Sequence, residues 1–242
     1  MTASATAGAR PPRPPRPRAG DAAREGGPGP EPASDPASGP GPDRLPRFGD
    51  RRRVRIGLLG GSFNPAHAGH RHIARLALRR LGLDQVWLLV SPGNPLKDPA
   101  DMAPLAARLA SAQAIADGHR IIATAIERRL HTRYTFDTLR ALRRLFPRAR
   151  FVWLMGADNL SQFPRWRGWM GIVRTVPFAV LPRPTYNHRA LAGHAAQRLR
   201  VARLVGREAP AIAGMRPPAW VFLPAPQDPS SATAMRKAAV GV

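Results

Sequence analysis

From Val54 onward, short apolar runs alternate with longer segments whose apolar residues recur at helical spacing. Runs of this kind are typical of strands buried on both faces, and strands that alternate with helices form parallel sheets. The alternation therefore predicts an α/β fold, with one doubly wound, mainly parallel sheet. The predicted strands are VRIGLLG (54–60), QVWLLVS (85–91), RIIATAIE (120–127), RFVWLMG (150–156), PFAVLPR (177–183) and AWVFLP (219–224).

The segments between these strands carry helix start and stop signals. The first has apolar residues at 73, 76, 77 and 81 and ends at Gly82, the residue type that most often follows a helix. Pro104 stands at the start of the second and Gly118 follows its end, whereas Pro147 stops the third. Further helices are predicted around 168–175 and 189–206, with a short last one from about Ala232.

Residues 1–53 have a different composition from the rest of the chain. They are rich in Pro, Arg and Gly and contain almost no large apolar residue before Leu45. Such a segment buries too little apolar surface to offset its ordering entropy. We therefore expect a disordered tail over 1–53 and a single domain over 54–242. The repeat RPPRPPRPR is typical of a ligand for proline-recognising domains or nucleic acid, but composition favours a solvated tail.

The formal net charge of the chain is +23, and the sequence contains no cysteine. The absence of cysteine excludes disulfides and thiolate metal sites. A chain this basic is expected to meet polyanions, but no nucleic-acid-binding motif accompanies the charge, so no specific nucleic acid is expected as partner. No apolar run approaches the length of a membrane span, and no secretion signal is apparent, so a cytoplasmic location is expected.

The segment GGSFNPAHAGH (60–70) follows the first predicted strand and leads into the first helix. Glycines there allow a ligand to approach the backbone closely, and the start of the helix presents free N–H groups. His67 and His70 are three residues apart, so both lie on one side of the first helical turn. Imidazole N–H groups in this position can hold phosphate oxygens. The segment therefore predicts an anion site at the carboxyl end of the sheet.

This segment resembles the signature of the HxGH nucleotidyltransferases, which transfer AMP or CMP from a nucleoside triphosphate. The resemblance implies a Rossmann-like nucleotidyltransferase fold. It also implies that Gly60, Gly61, Ser62, Phe63 and His70 bind ATP. Asn64, where most members have Asp, is expected on the side of the second substrate. His67 and His70 are the implied catalytic histidines.

Three further segments resemble the bacterial nicotinate-mononucleotide adenylyltransferases. SPGNPLKD (91–98) resembles the N-P-H-K loop of that family with Leu96 in place of the histidine. ERRLHTRYTFDTL (127–139) resembles a segment that flanks the mononucleotide, and FVWLMGADNLSQFPRWRGW (151–169) resembles its G-A-D-x-L-x-x-F-x-x-W stretch. The residues implied for ATP are Gly156 and Asp158; those implied for the mononucleotide are Lys97, Tyr134, Thr135 and Trp166, Lys97 being catalytic as well.

The segment SSATAMRK (230–237) resembles the motif that closes the family's site over ATP, with Ala232 in place of its second serine. Ser231 and Thr233 are implied to bind ATP by capping a helix that faces the triphosphate. Arg236, one turn further, is implied to bind ATP and to act in catalysis by neutralising phosphate charge.

The resemblance implies transfer of AMP from ATP to nicotinate mononucleotide, with Mg²⁺ bridging the triphosphate and no metal site made by the protein alone. Alternatives stay open. Nicotinamide mononucleotide or another phosphate acceptor could replace the acid on the same scaffold. The remote alternative is a basic protein that binds nucleic acid through its charge. The sequence does not predict an oligomeric state.

Overall fold

The computed structural model describes residues 45–46, 48–93, 102–183 and 186–224. Within these residues, one seven-stranded sheet forms the centre of the fold, and each of its strands pairs in parallel with its neighbours. The doubly wound parallel sheet predicted from the sequence is therefore confirmed. The strands are β1 (Arg55–Gly61), β2 (Gln85–Val90), β3 (Ile121–Thr124), β4 (Arg150–Gly156), β5 (Phe178–Leu181), β6 (Arg203–Leu204) and β7 (Trp220–Phe222).

The helices lie between the strands along the chain. Those that the structure describes are α1 (Ala68–Arg80), α2 (Leu105–Ile115), α3 (Ile126–Arg129), α4 (Thr135–Leu145), α5 (Ala157–Gln162), α6 (Trp169–Thr175), α7 (Asn187–Ala192) and α8 (His194–Arg198). Three 3₁₀ segments add to them over Phe163–Arg165, Arg200–Ala202 and Gly206–Gly214. None of these helices is long and apolar enough to cross a membrane.

Two hydrophobic cores lie on opposite faces of the sheet because neighbouring residues of a strand point to opposite faces. In β4, Trp153 and Met155 belong to the core that α4, α6 and the chain after β5 cover. Val152 and Leu154 of the same strand belong to the core that α1, α2 and the 3₁₀ segment over 206–214 cover. Burial on both faces explains why the strands read as continuous apolar runs in the sequence.

The strand order is β3-β2-β1-β4-β5-β7-β6, so the direction in which strands are added reverses between β1 and β4. In open α/β sheets, such a reversal leaves a crevice outside the carboxyl ends of the two strands, where ligands bind. β1 ends at Gly61 and β4 ends at Gly156. The topology therefore puts the two glycine-containing segments singled out from the sequence at one crevice.

The interval 189–206 departs from the predicted helix. It contains the end of α7, then α8, a 3₁₀ turn and the edge strand β6. Gly193 separates the two short helices, with an extended ψ of 165°. Trp220 Nε1 donates to the Leu199 carbonyl at 2.8 Å, which fixes this segment against β7. The prediction of helix is wrong for Arg203 and Leu204, because a tertiary contact with β7 determines their conformation.

Candidate active site

The first side of the candidate site is the turn between β1 and α1. Gly60 is close to the end of β1, where a Cβ would lie 2.5 Å from Trp153 Cη2, so only glycine fits against that ring. Phe63 is buried, and its φ of 47° turns the chain sharply after the strand. Its ring lies 4.9 Å from the His70 ring, centroid to centroid. The turn thus brings the end of the strand and the start of the helix together.

His67 and His70 lie side by side at the start of α1. His67 is the N-cap residue, and the centroids of the His67 and His70 rings are 3.9 Å apart. The His67 backbone N–H donates to His70 Nδ1 at 3.2 Å. Because Nδ1 accepts this hydrogen bond, the proton of a neutral His70 ring is on Nε2. His70 therefore offers one N–H donor on the side of its ring that the helix cap does not use.

Electrostatics keep His70 neutral in the free protein. Burial, together with repulsion from His67 and Arg183, lowers the pKa of His70 to about 3. At neutral pH the ring is therefore an uncharged N–H donor in a locally positive environment. Such a donor is suited to an anionic oxygen, because an added negative charge would relieve the repulsion that lowers its pKa.

The second side of the site is the end of β4. A Cβ on Gly156 would clash with Asp158 Oδ1, so glycine lets that carboxylate fold back toward the strand end. Arg183, which follows β5, approaches it with 3.6 Å between Arg183 Nε and Asp158 Oδ1. Both atoms are buried and make no hydrogen bond. Arg183 interacts electrostatically with both His70 and Asp158, so it connects the two sides of the crevice.

Three of the residues predicted to bind the mononucleotide, Tyr134, Thr135 and Trp166, form a second group. Tyr134 is the N-cap residue of α4, and Thr135 begins that helix. The Arg167 guanidinium lies over the Tyr134 ring, 4.5 Å from its centroid, and Arg167 directly follows Trp166. Trp166 is half-buried and makes an edge contact with Trp153, with centroids 6.2 Å apart. The structure therefore brings the Tyr134–Thr135 and Trp166 segments together.

The remaining predicted residues divide into two sets. Asn64 is buried, and its Oδ1 accepts a hydrogen bond from the Ala103 N–H at 3.1 Å. This contact holds the turn, and a role of Asn64 in substrate binding stays a prediction. Ser62 lies at the same turn, and its carbonyl accepts from Arg108. The predictions for Lys97, Ser231, Thr233 and Arg236 fall outside the described residues.

A buried carboxyl lies at the same edge of the sheet. Glu127 of α3 is 7 % exposed, and Glu127 Oε1 accepts a hydrogen bond from Thr138 Oγ1 at 3.1 Å. Burial raises the pKa of Glu127 to about 7, against hydrogen bonds from Thr138 and Ser91 that act to lower it. Thr138 belongs to α4, so this contact ties the end of β3 to the helix that carries Thr135.

We expect Glu127→Gln to change how stability depends on pH. The native protein keeps a proton that the unfolded chain, with an ordinary glutamate pKa of 4.5, releases as pH rises toward 7. The wild type therefore loses stability between these pH values, and the loss is complete above 7. Glutamine keeps the acceptor oxygen but does not ionise. Between pH 4.5 and pH 8, the free energy of unfolding measured with urea should rise by about 3 kcal/mol for the variant relative to the wild type. If the stability of the wild type and of the variant depended on pH in the same way, the raised pKa of Glu127 would be contradicted.

Sequence reasoning missed three residues at this edge of the sheet: Arg183, Arg108 and Glu127. The chain contains 36 arginines and two lysines, so no single arginine stands out from the sequence. The only signal for Arg183 is its position directly after a predicted strand, where the carboxyl ends of parallel strands meet. Glu127 is the first residue of the segment ERRLHTRYTFDTL, but its burial depends on tertiary packing.

Comparisons with known proteins point to one family for this chain. Residues 58–238 match the family model described as cytidylyltransferase-like. A protein of Gluconacetobacter diazotrophicus is 61 % identical over 193 residues, which cover 80 % of this chain and 90 % of that protein. A protein of Gluconobacter oxydans is 58 % identical over 184 residues, covering 76 % and 94 %. Both carry the name "probable nicotinate-nucleotide adenylyltransferase".

Among solved structures, the fold is similar to that of the Plasmodium falciparum nicotinic acid mononucleotide adenylyltransferase complexed with NaAD. The TM-score is 0.57 at 16 % identity, and the alignment covers 76 % of this chain and 83 % of that one. At this identity the likeness supports the Rossmann-like fold. The family membership predicted from GGSFNPAHAGH and GADNL is confirmed by the match to the family model and by the sequence identity to these relatives. This chain belongs to the nicotinate-nucleotide adenylyltransferase family.

Proposed function

We propose that this protein transfers the adenylyl group of ATP to nicotinate mononucleotide, giving nicotinate adenine dinucleotide and pyrophosphate in NAD biosynthesis. The observation that carries the proposal is the arrangement at the β1/β4 crevice. There His67 and His70 lie side by side at the start of α1, and Arg183, whose positive charge acts to lower the pKa of His70, pairs with Asp158 at the end of β4. N–H donors and a carboxylate thus lie around one crevice, and this arrangement supports binding of phosphates and of ribose hydroxyls there.

The chemistry needs no general base. The nucleophile is a 5′-phosphate oxygen of the mononucleotide, which is already ionised at neutral pH. It forms a bond to the α-phosphorus of ATP while the bond from that phosphorus to the bridging oxygen breaks, and pyrophosphate leaves. The protein aligns the two phosphates and stabilises the charge that develops on the α-phosphate and the leaving group.

Each residue at the crevice has a role in this proposal. His70 donates its Nε2–H to the α-phosphate, and His67 holds the phosphates beside it. Asp158 accepts hydrogen bonds from ribose hydroxyls, and Arg183 adds positive charge near both groups. Lys97 and Arg236 neutralise the remaining phosphate charge, with Ser231 and Thr233 at the start of the closing helix; these four roles rest on the sequence resemblance.

The divalent cation enters with ATP in this proposal, and Mg²⁺ is the cation we expect. Among the described residues, no group of three His, Cys, Asp or Glu side chains is placed to hold a metal ion. Asp158, just after the end of β4, pairs with Arg183. The donor set therefore fits a cation whose ligands are mainly phosphate oxygens and water.

Positive charge beside the second group of residues favours the acid over the amide. Arg133 and Arg167 both place their guanidinium groups over the Tyr134 ring, 6.0 and 4.5 Å from its centroid. A pyridine ring stacked on Trp166 would lie in this positive environment. The carboxylate of nicotinate is stabilised by that charge, and a neutral amide is not.

The division of the chain at residues 53 and 54 and the cytoplasmic location stay predictions.

Steady-state kinetics on purified protein test this function. We expect kcat/KM for nicotinate mononucleotide to exceed that for nicotinamide mononucleotide by about tenfold or more, since a site built for a charged group discriminates against a ligand that lacks it. Phosphopantetheine, a phosphate acceptor without a pyridine ring, serves as the control and should give no pyrophosphate above background. Equal rates with acid and amide would contradict the substrate assignment, and no turnover with either would contradict the enzyme.

A further inference from the structure

Arg108 of α2 is a buried guanidinium that the proposed chemistry does not use. Arg108 is 2 % exposed, and burial lowers the pKa of its guanidinium. Among the residues that the structure describes, no carboxylate pairs with it. A buried charge is costly, so the hydrogen bonds of this guanidinium must compensate for lost hydration.

Within the described residues, those hydrogen bonds go to backbone carbonyls around the ends of β1 and β2 and before the start of α2. Nε donates to the Ala103 carbonyl at 2.8 Å, just before α2. Nη1 donates to the Ser62 and Ser91 carbonyls at 2.8 and 2.7 Å. Nη2 donates to the Pro92 carbonyl at 3.3 Å. One planar group thus joins the residues that follow two neighbouring strands and the start of the helix behind them.

Other contacts from α2 hold the same turn. Ser111, one turn after Arg108, accepts the Ala66 N–H through Oγ at 3.1 Å. Asn64 Oδ1 accepts the Ala103 N–H at 3.1 Å. The turn between β1 and α1 is therefore held to α2 by Arg108 and Ser111, and to Ala103, just before that helix, by Asn64. Of these contacts, the one from Arg108 lies nearest the strand.

The turn needs stabilising contacts from other segments because Phe63 adopts a φ of 47°. Residues other than glycine seldom take a positive φ, and they keep it only where surrounding contacts fix it. The Ser62 carbonyl, which belongs to the peptide that precedes Phe63, points to Arg108. Because a trans peptide directs its N–H opposite to its carbonyl, the Phe63 N–H points away from α2.

We propose that Arg108 is a positioning residue for the triphosphate: it fixes the Ser62–Phe63 and Ser91–Pro92 backbones and so sets where His67 and His70 meet the phosphates. Its positive charge, carried behind the turn, also adds to the potential that an anion meets there. This inference rests on the proposed assignment of the Gly60–His70 segment to ATP. Arg108 touches neither substrate; it acts through the backbone that it holds.

The geometry explains why arginine is needed. Three nitrogens in a rigid plane reach carbonyls in different directions, whereas the ammonium of lysine donates from one point. A lysine at 108 would keep the charge and lose most of the hold on the strand ends. A methionine would lose both and leave the carbonyls without these donors.

The experiment compares Arg108→Met, Arg108→Lys and Arg120→Met by steady-state kinetics, well below the melting temperature of each variant. Arg120 is the matched control, because Nη2 donates to the Leu83 carbonyl at 3.1 Å at the opposite end of β2. We expect Arg108→Met to lower kcat/KM for ATP by about 100-fold, the size typical of a small misplacement of reacting groups. KM for the mononucleotide should change less than about threefold. Arg108→Lys should fall between Arg108→Met and the wild type, and Arg120→Met should keep the wild-type kcat.

A role in folding alone predicts a different pattern. It would lower the melting temperature of Arg108→Met and Arg120→Met and leave kcat per folded molecule unchanged in both, which would overturn the proposal. If Arg108→Met does not fold, Ser111→Ala takes its place, since it loosens the same turn from the next contact. Wild-type kcat/KM for ATP in a folded Ser111→Ala would then overturn the proposal. Wild-type activity of Arg108→Met beside loss of activity in His70→Ala refutes this inference and leaves the proposed function intact.

Discussion

Replacing His70 with alanine should lower kcat by about 100- to 1,000-fold while the protein stays folded, because removing one positioned donor to a developing oxyanion costs this much. The neutral His70 ring carries its proton on Nε2, since Nδ1 accepts the His67 N–H. Alanine removes that donor from the α-phosphate. KM for ATP should change less than kcat, since the interaction strengthens in the transition state.

The fold should tolerate this change. His70 is half-buried at the start of α1, and its side chain makes one hydrogen bond at the helix cap besides its contacts with the rings of Phe63 and His67. Losing such a cap costs about 1 kcal/mol of unfolding free energy. His119 is the control, since it is exposed near the start of β3, at the opposite edge of the sheet. His119→Ala should keep the wild-type kcat; near-normal turnover in His70→Ala would remove His70 from the chemistry.

Replacing Trp166 with alanine should raise KM for nicotinate mononucleotide by about 10- to 100-fold, since stacking of a base on an aromatic side chain is worth about 1–3 kcal/mol. Trp166 is half-buried between the edges of Trp153 and Phe163, which hold the indole in place and leave part of it accessible. KM for ATP should change by less than about threefold. The two constants are measured by varying each substrate while the other is saturating.

Trp169 provides the matched control for this prediction. It lies three residues further along the chain, is equally half-buried, and contacts Phe163 with ring centroids 5.7 Å apart. Trp169→Ala removes a comparable apolar side chain and should lower stability without a selective effect on the mononucleotide. Equal increases in both KM values for Trp166→Ala, or the same pattern in both tryptophan variants, would refute the stacking role.

The sequence predicts the parts of the fold that depend on local periodicity. The strands ending at Gly61 and Gly156 are continuous apolar runs, so the parallel sheet and a ligand site at its carboxyl ends follow from the alternation of strands and helices. His67 and His70 are three residues apart, and their contact follows from helix geometry. These features need no knowledge of distant residues.

Other features depend on contacts that periodicity does not encode. β6 has two residues and exists because it pairs with β7, so no pattern in the sequence predicts it. Arg108 reads as one arginine among many on a helix, and its burial arises only when α2 packs behind the ends of β1 and β2. Arg183 reaches Asp158 because β5 lies beside β4 in the sheet.

A crystal structure of the protein with a non-hydrolysable ATP analogue tests the central claim most directly. We predict that the triphosphate lies at the carboxyl end of β1, with a phosphate oxygen within about 3.2 Å of His70 Nε2, the usual hydrogen-bonding range. The ribose should lie beside Asp158. A triphosphate bound elsewhere on this basic surface, with His67 and His70 both free of phosphate, would contradict the account.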